Sequence, residues 1–193
     1  GVIGGAQTTL SREMSRAYLA TKPAHAIISV SEQDGFQDSL VEAVLDMEGV
    51  ASAEAQAAIS VRAQTGRDRW MDMQLIALPD YEEMEIATFE PLRGAWPPPD
   101  KTMLVERSGL GFGEGKINAE VGDAILLERP DGKQRVIRVA GAVRDLAQAP
   151  SSMMNMAYGY IDYDTLEWLG AKRQHTQLQL RFSGNNSDLE HNQ

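Results

Sequence analysis

A glycine-rich run that ends in a lysine is the stretch of this sequence that looks most like a site of chemistry. Residues 109–116 read Gly-Leu-Gly-Phe-Gly-Glu-Gly-Lys. A phosphate-binding loop needs Gly-x-x-x-x-Gly-Lys followed by serine or threonine, but Leu110 lies five residues before Gly115 and Ile117 follows the lysine. The dinucleotide-binding pattern also fails, because Glu114 occupies the position of its third glycine. The sequence therefore favours a mobile surface loop over a nucleotide site.

The other reactive side chains form no recognisable catalytic or metal-binding pattern. The chain has no cysteine, which excludes thiolate metal sites, disulfide bonds and cysteine catalysis. No serine lies in a Gly-x-Ser-x-Gly elbow. The histidines, His25, His175 and His191, are far apart and form no HxH or HExxH motif, so a metal site built from them stays only an open alternative. We predict no catalytic residue, no cofactor and no metal ligand.

The acidic residues are numerous, but their positions have structural explanations. Four of them fall within residues 80–85, a charge run that is typical of a solvated helix face. Asp162 and Asp164 flank a predicted helix start, where acidic caps belong. The alternative is an enzyme, such as an envelope hydrolase, whose site is assembled from dispersed acids. A pocket in which acids of perturbed pKa converge would favour that alternative.

Composition sets further bounds on the function. The chain has 193 residues, enough for one domain or two small ones, and is 42% hydrophobic, which is ordinary for a globular protein. Its 28 acidic and 18 basic residues give a net charge of −10, which disfavours binding to nucleic acid and to anionic lipid. It has no apolar run of about 20 residues, no signal peptide and no initial methionine. We therefore expect an excised fragment or a processed chain.

The first quarter of the chain predicts a helix, a short strand and a second helix. Thr9 caps the first helix and Pro23 ends it. Its apolar face consists of Leu10, Met14, Ala17 and Tyr18. A strand follows over residues 26–30, and Asp34 and Gln37 then match a capping box with Asp34 as the N-cap. The second helix is expected to bury Phe36, Leu40, Val41, Val44 and Leu45.

Alternation with a period of two then marks two strands. From Ala53 to Ala63 every second residue is apolar, and a period of two sustained over about a dozen residues favours a strand over a helix. A turn at residues 65–68 leads to an antiparallel partner over residues 70–78. Residues 26–78 are thus predicted to pack a helix on one face of a mixed sheet. A short helix is expected over residues 80–84.

The segment over residues 89–100 changes in character and indicates a boundary. Pro97, Pro98 and Pro99 favour an extended, stiff connector. We interpret Trp96 beside them as a packed side chain of a rigid crossover, with a peptide-recognition site as the alternative. A strand over residues 102–106 follows the connector.

Residues 121–143 carry the clearest hairpin signal of the chain. Two β-rich runs flank Pro130, Asp131 and Gly132, and proline and glycine suit the corners of a tight turn. The predicted apolar faces consist of Ile125 and Leu127 before the turn and of Ile137, Val139 and Val143 after it. The hairpin contains no acid pair, histidine or thiol, so it predicts a fold element without chemistry.

Beyond the hairpin, a polar loop over residues 146–156 contains Met153, Met154 and Met156. We interpret these methionines as gap fillers at a domain junction, with a surface that adapts to varied partners as the alternative. Two strands, over residues 158–162 and 177–182, flank a short helix over residues 165–169.

Taken together, these elements predict an α+β fold in which a mixed α/β sheet-and-helix subdomain carries an inserted β-rich subdomain. The flanks, residues 26–98 and 147–183, form the first subdomain, and residues 99–146 form the insertion. Residues 1–25 contain the first helix and a linker, and the polar residues 184–193 are predicted to be a disordered tail.

Several short motifs occur in an informative order. They are residues 86–91 (IATFEP), 93–99 (RGAWPPP), 106–108 (ERS), 121–123 (VGD), 139–143 (VAGAV), 158–161 (YGYI) and 166–170 (LEWLG). In this order they resemble the extracytoplasmic domain of FtsX/MacB-type ABC transporter permeases, also called the MacB-like periplasmic core domain. The resemblance spans about residues 10 to 182.

The resemblance implies a non-enzymatic, porter-like domain outside the cytoplasm, on the periplasmic face of a bacterial inner membrane. It would lie between two membrane helices of a dimeric permease, with residues 1–25 continuing the first of them. A cytoplasmic ATPase subunit would drive it to export a lipoprotein, lipid-linked or peptide substrate, or to act on a periplasmic partner protein. No family binding residues carry over.

Contact with a partner is expected at three places. These are the methionine loop, the loop over residues 109–115, and the hairpin turn at Pro130, Asp131 and Gly132, which is predicted to project away from the membrane. A stand-alone ligand-binding or adaptor protein outside the cytoplasm is the remaining hypothesis, and it predicts a complete gene that ends near residue 193.

Overall fold

The computed structural model describes residues 12–184, and within them nine strands form one mixed sheet. The strands are β1 Ala26–Ser29, β2 Val50–Gly66, β3 Arg69–Ala77, β4 Glu90–Gly94, β5 Thr102–Glu106, β6 Ala124–Glu128, β7 Gln134–Arg144, β8 Met156–Ile161 and β9 Gln177–Phe182. The helices are α1 over residues 12–20, α2 Asp38–Leu45, α3 Ser151–Met154 and α4 Tyr163–Trp168, with a 3₁₀ helix at Arg107–Gly109. This content confirms the predicted α+β class. The Thr9 cap, Leu10, His191 and the tail beyond residue 184 lie outside the described residues.

Strand β2 is the longest element and serves two parts of the fold. One of its edges pairs with β9 along residues 50–56 and with β6 at residues 62–63, while the other edge pairs with β3 along residues 57–66. All three partners are antiparallel to β2. The predicted alternation is confirmed, since Ala53, Ala55, Ala57, Ile59, Val61 and Ala63 are all buried. The antiparallel partner predicted at residues 70–78 is confirmed as β3.

Six strands form a closed ring in which each strand pairs with two neighbours. Their order is β2, β3, β8, β5, β7, β6 and back to β2. The β3–β8 and β5–β7 pairs are parallel and the others are antiparallel. We call this unit the closed sheet. Its interior is packed with buried apolar side chains from all six strands, among them Val61, Met73, Leu75, Met103, Val105, Leu127, Ile137, Val139, Ala157 and Ile161. Strands from the predicted insertion and from its predicted flanks thus share one sheet, and the domain boundaries at residues 98 and 147 stay a prediction.

The remaining part, which we call the α2 lobe, consists of β1, β9, the first half of β2 and helix α2. Its small core contains Ala53, Ala55, Leu178 and Leu180, against which Val41 and Val44 of α2 pack. Leu40 and Leu45 are 45% and 43% exposed, so the prediction that the helix buries them is wrong. The reason is that a helix of only two turns over a three-stranded sheet covers it with a narrow stripe of side chains.

The predicted capping box is also wrong, because α2 starts at Asp38, with Gln37 as its N-cap. Asp34 lies earlier, in a turn where its carboxylate accepts a hydrogen bond from the Ser31 hydroxyl and its amide donates to the Ser31 carbonyl. Phe36 then pairs in an extended conformation with His175, each amide donating to the other's carbonyl. Because Phe36 is held in this extended pairing, helix α2 begins only at Asp38.

The helix predicted over residues 80–84 does not form. The Asp80 carboxylate accepts hydrogen bonds from the amides of Glu82 and Glu83, and the Glu54 carboxylate accepts hydrogen bonds from the amides of Glu85 and Ile86. Side-chain acceptors that bind backbone amides in this way compete with the helical hydrogen bonds. Residues 80–86 therefore follow an irregular path and are attached to β2 through Glu54.

Next to residues 80–86, a cluster of aromatic rings lies on the outer face of the closed sheet. Trp96 packs edge-on against Tyr81 and Phe89, with ring centroids 5.5 and 5.7 Å away, and Phe89 lies 4.5 Å from Tyr160. The expectation that Trp96 is a packed side chain is confirmed. The residues before it form β4, an edge strand on β7 that the sequence did not indicate.

A β-bulge in β7 changes which face its residues present. Val139 pairs with Met103 of β5 but Gly141 pairs with Leu104, so Ala140 is an extra residue. An extra residue reverses the alternation beyond it. Ile137 and Val139 accordingly line the interior of the closed sheet, whereas Val143 packs in the outer aromatic cluster. The prediction that all three share a face is wrong for Val143.

Gly141 allows the close approach of β4 at this bulge, which gives a test of the fold. A Cβ at Gly141 would lie 2.8 Å from the Arg93 carbonyl oxygen and 2.9 Å from that of Ala95. We expect Gly141→Ala to lower the free energy of unfolding by about 1–3 kcal/mol, measured by urea denaturation. Gly66→Ala is the matched control, because its Cβ would make only ordinary contacts with Arg69. Equal stability of the two variants would contradict the packing described.

Asp145 gives a second test, through the pH dependence of stability. Burial raises the pKa of its carboxyl above the ordinary value of 3.8, against hydrogen bonds from the Tyr160 hydroxyl (2.5 Å) and the Ala147 amide. The folded protein therefore keeps this proton to higher pH than the unfolded chain does, so the stability contributed by the protonated acid is present below the unfolded pKa and is lost as pH rises through the folded pKa.

We expect Asp145→Asn to reduce the loss of stability as the pH is raised from about 4 towards neutral, because an amide has the same shape and does not titrate. Urea denaturation of both proteins across this range measures the difference. If the two stability curves stay parallel, Asp145 is not the group responsible.

Candidate partner-binding surface

Residues 23–25 and residues 181–183 lie together beside the start of β2. The Arg181 guanidinium donates to the Pro23 carbonyl, the Phe182 amide donates to His25 Nδ1 at 2.9 Å, and the Ser183 amide donates to the Gly49 carbonyl at 2.9 Å. We call this side the base. Strand β2 runs from the base for 17 residues, about 50 Å of extended chain, to its turn with β3.

Three segments that are far apart in sequence meet at the other end of β2. They are the β2–β3 turn, the glycine-rich loop over residues 109–118, and α3 with Asn155 after it. We call this side the distal end. It contains two of the three places where sequence analysis expected partner contact, the methionine loop and the glycine-rich loop.

The glycine-rich loop is tied down by specific hydrogen bonds. Asn118 bridges it to the β2–β3 turn, because its side-chain oxygen accepts from the Gly113 amide (3.0 Å) and its side-chain nitrogen donates to the Thr65 carbonyl (2.8 Å). The Gly111 amide donates to the Ala119 carbonyl at 2.9 Å. The loop lies at the surface, as predicted, but its position is fixed from both sides.

Helix α3 is attached to the same loop. The Ser151 hydroxyl donates to the Ser108 carbonyl and the Ser151 amide donates to the Ser108 hydroxyl oxygen. The Cα of Ser152 lies so close to Gly115 that a Cβ there would be 2.9 Å away. Glycine at position 115, with φ +76°, is therefore required for α3 and the loop to pack against each other.

The three predicted methionines are not equivalent. Met153 and Met154 lie on α3 and are 77% and 55% exposed. Met156 lies in β8 instead and packs against the outer aromatic cluster. The prediction of a methionine surface therefore applies to two residues, and the third fills a gap in the core.

Between the loop and the β2–β3 hairpin lies an open groove of about 770 Å³, which we call the distal groove. It is lined by Thr65, Arg69, Trp70, Met71, Phe112, Gly113, Glu114, Gly115, Lys116, Asn118 and Asn155. Phe112 is the most prominent apolar group beside it, with 68% of its surface exposed. Sequence analysis missed Phe112 and Trp70 as candidates, although an aromatic residue flanked by two glycines was a signal that could have been used.

The hairpin turn at Pro130, Asp131 and Gly132 lies away from the distal end. Because β6 is antiparallel to β2, the hairpin runs back towards the α2 lobe. Arg129, next to the turn, pairs with Glu32 of that lobe at 2.6 Å and donates to the Ser60 carbonyl. The direction of this turn relative to a membrane and its role as a partner contact both stay predictions.

An acid-lined cavity of about 210 Å³ bears on the enzyme hypothesis. It lies between α2 and residues 78–89, and its lining includes Asp38, Glu54, Asp80 and Glu83. Burial raises the pKa of Glu54, partly offset by the hydrogen bonds from the amides of Glu85 and Ile86. The cavity meets part of the criterion for an acid-based site. Its lining has no serine, threonine or lysine, however, and Glu54 and Asp80 are already hydrogen-bonded to the backbone.

His175 at the edge of this cavity is held by two polar partners. Its Nε2 lies 2.7 Å from the Asp38 carboxylate and its Nδ1 lies 2.6 Å from the Tyr163 hydroxyl. The ring therefore links the segment just before β9 to α2 and α4. Within the described residues it does not meet His25, which lies at the base.

Three aspartates, Asp100, Asp162 and Asp164, also come close together, with one carboxylate oxygen from each within 4.8 Å of the others. Asp162 caps α4 by accepting from the Thr165 amide at 2.7 Å, as the sequence predicted. Asp164 pairs with Arg173 at 2.6 Å. These structural roles account for two of the three acids.

No family model and no curated protein match this sequence. Solved structures do match. The extracellular domain of the noncanonic ABC-type transporter YknZ from Gram-positive bacteria is similar at a TM-score of 0.53 with 9% identity, over 85% of this chain and 86% of that one. The periplasmic region of MacB from Actinobacillus actinomycetemcomitans gives a TM-score of 0.49 with 12% identity, over 86% of this chain and 78% of that one.

A domain of a putative permease protein from Porphyromonas gingivalis gives a TM-score of 0.41 with 19% identity, over 84% of this chain and 74% of that one. Of the three, the YknZ domain is similar enough to establish the fold. This chain thus has the fold of the extracellular domain of an ABC-type transporter, as the motif order implied. Within residues 12–184, the helices are too short and too polar to span a bilayer.

The bridge made by Asn118 can be tested directly. We expect Asn118→Ala to speed hydrogen exchange of the Gly113 amide at least tenfold and to lower the free energy of unfolding by about 1–2 kcal/mol, because two hydrogen bonds are lost. Asn155→Ala is the matched control, since both asparagines have positive φ, 56° and 48°. Equal effects of the two variants would mean that only backbone conformation matters at Asn118.

Proposed function

We propose that this chain is the extracytoplasmic domain of an ABC transporter permease. The observation that carries the proposal is the fold shared with the YknZ extracellular domain along 85% of this chain. The absence of cysteine agrees with such a location, where a free thiol could mispair. The domain would couple ATP-driven motion to export of a substrate or to a partner protein.

The position of the chain ends supports this proposal. Residues 23–25 and 181–183 leave the fold at the base, side by side. Two membrane helices could attach there without crossing the domain. Helix α1, over residues 12–20, precedes this point and would continue the first membrane helix outwards. The base would then face the membrane and the distal end would face away from it.

The proposed role is mechanical and not enzymatic. Strand β2 pairs with β9 at the base and with β3 and β6 further along, so one strand connects the chain ends to the distal end. Motion of the membrane helices would reach the distal end through this strand. In the acid-lined cavity, Glu54 and Asp80 accept hydrogen bonds from backbone amides and so position the backbone.

The partners implied by this role are a cytoplasmic ATPase, reached through membrane helices, and a second copy of the permease. Outside the cytoplasm, a protein or a lipid-linked substrate would contact the distal end. These partners are proposed from the role and not from any residue of this chain.

The flanking sequence tests this proposal against a stand-alone adaptor. We expect the complete gene to encode an apolar run of about 20 residues just before Gly1 and three more beyond Gln193, because each membrane helix needs that length. A complete gene that ends near Gln193 without them would contradict the proposal.

Replacement of residues 26–183 by a short flexible linker in the complete permease tests the coupling role. We expect the permease still to assemble with its ATPase, but cells to show the phenotype of a gene deletion. The control is Val136→Ala, at a residue that is 62% exposed on β7 and should have no effect. An unchanged phenotype with the linker would contradict a coupling role.

A further inference from the structure

Phe112 is held in solvent by a fixed backbone. It lies between Gly111 and Gly113, whose φ values of +104° and +118° favour glycine and direct the chain outward at this point. The Gly111 and Gly113 amides are both hydrogen-bonded, to the Ala119 carbonyl and the Asn118 side chain. An aromatic side chain exposed on a preorganised loop has the character of an anchor residue for binding, since little entropy is lost when a partner covers it.

Trp70 provides a second aromatic surface in the same groove. It is partly buried, and the Arg62 guanidinium stacks on its ring at 4.4 Å. The distal groove thus offers two aromatic contacts to one occupant, Phe112 and Trp70. Its volume of about 770 Å³ suits several side chains of an extended segment.

The lining of the distal groove has more basic than acidic residues, although the protein as a whole is acidic. Its lining contains Arg69 and Lys116 against one acid, Glu114, whereas the acid-lined cavity contains four acids and no lysine or arginine. Arg67 in the adjoining turn adds a further cation. Within residues 12–184 none of these three cations has a carboxylate within 4.0 Å, although five other arginines do: Arg62, Arg93, Arg129, Arg144 and Arg173.

We infer that the distal groove binds an extended, acidic segment of another extracytoplasmic protein, one that carries aromatic or large apolar side chains beside its carboxylates. Phe112 and Trp70 would pack against the apolar side chains, and Arg69 and Lys116 would contact the carboxylates. This inference rests on the proposed function for the compartment only, and it adds the chemistry of the partner.

The test uses the 193-residue chain and three synthetic peptides of twelve residues. The first alternates glutamate with tryptophan and leucine, the second has lysine in place of glutamate, and the third has serine in place of the apolar residues. We expect the first alone to bind, more weakly at high salt, and to shift the NMR signals of Gly113 and the Trp70 indole. Vesicles of phosphatidylglycerol form a fourth arm and should not bind.

Two variants assign the binding to the groove. Phe112→Ala and Arg69→Glu should each weaken binding of the acidic peptide at least about tenfold. Val136→Ala and Lys172→Glu are the matched controls, since both sites are exposed and outside the groove lining, and they should leave the affinity unchanged. Circular dichroism checks that all four variants stay folded.

Three results would overturn the inference. They are no binding of the acidic peptide at 1 mM, equal binding of the lysine peptide, and an affinity that Phe112→Ala and Arg69→Glu leave unchanged. Binding to vesicles without binding to peptide would also overturn it, in favour of a lipid contact. Any of these results would leave the proposed permease role standing, because that role is tested by the flanking sequence and by replacement of the domain.

Discussion

The fold depends on the backbone pairing of β2, because this strand is the only described element that belongs both to the α2 lobe and to the closed sheet. Its first residues form hydrogen bonds with β9 and its later residues with β3 and β6. Its alternating side chains bury alanines in the lobe and Ile59 and Val61 in the closed sheet. Alanine suits the first half, since a two-turn helix packs closely on small side chains.

Other interactions hold the lobe and the closed sheet at this shared strand. The Glu54 carboxylate of β2 accepts hydrogen bonds from the amides of Glu85 and Ile86. These bonds attach the irregular segment over residues 80–86 to the strand. Arg129 at the hairpin turn pairs with Glu32 of the lobe. His175 connects α2 to α4 through Asp38 and Tyr163. The polar residues that looked like possible chemistry in the sequence thus act largely as connections between segments.

Sequence reasoning succeeded where the signal is local. The period of two along β2 and the turn at Pro130, Asp131 and Gly132 specify their own structures, and both were predicted. It failed where a distant group competes with the local signal. The amides of Glu85 and Ile86 bind the side chain of Glu54, 31 residues away from Glu85. No local pattern indicates that, nor the parallel β3–β8 and β5–β7 pairs that close the sheet.

The candidate surface shows the same limit. Its residues come from the β2–β3 hairpin, the glycine-rich loop and the end of α3, and only the long-range pairing of the strands brings them together. The motif order carried the family resemblance, and with it the fold, but it did not indicate Phe112 or Trp70. The base and the distal end are likewise defined by the path of β2 and not by any motif.

The central claim is that the domain lies outside the cytoplasm with its distal end free to make contacts. Because the chain has no cysteine, Phe112→Cys in the complete permease introduces the one thiol of this domain at the distal groove. Labelling of intact cells, or of cells with only the outer membrane opened, with a maleimide that cannot cross the inner membrane measures its location. The account predicts rapid labelling of this cysteine before the inner membrane is permeabilised. Labelling only after permeabilisation would contradict it.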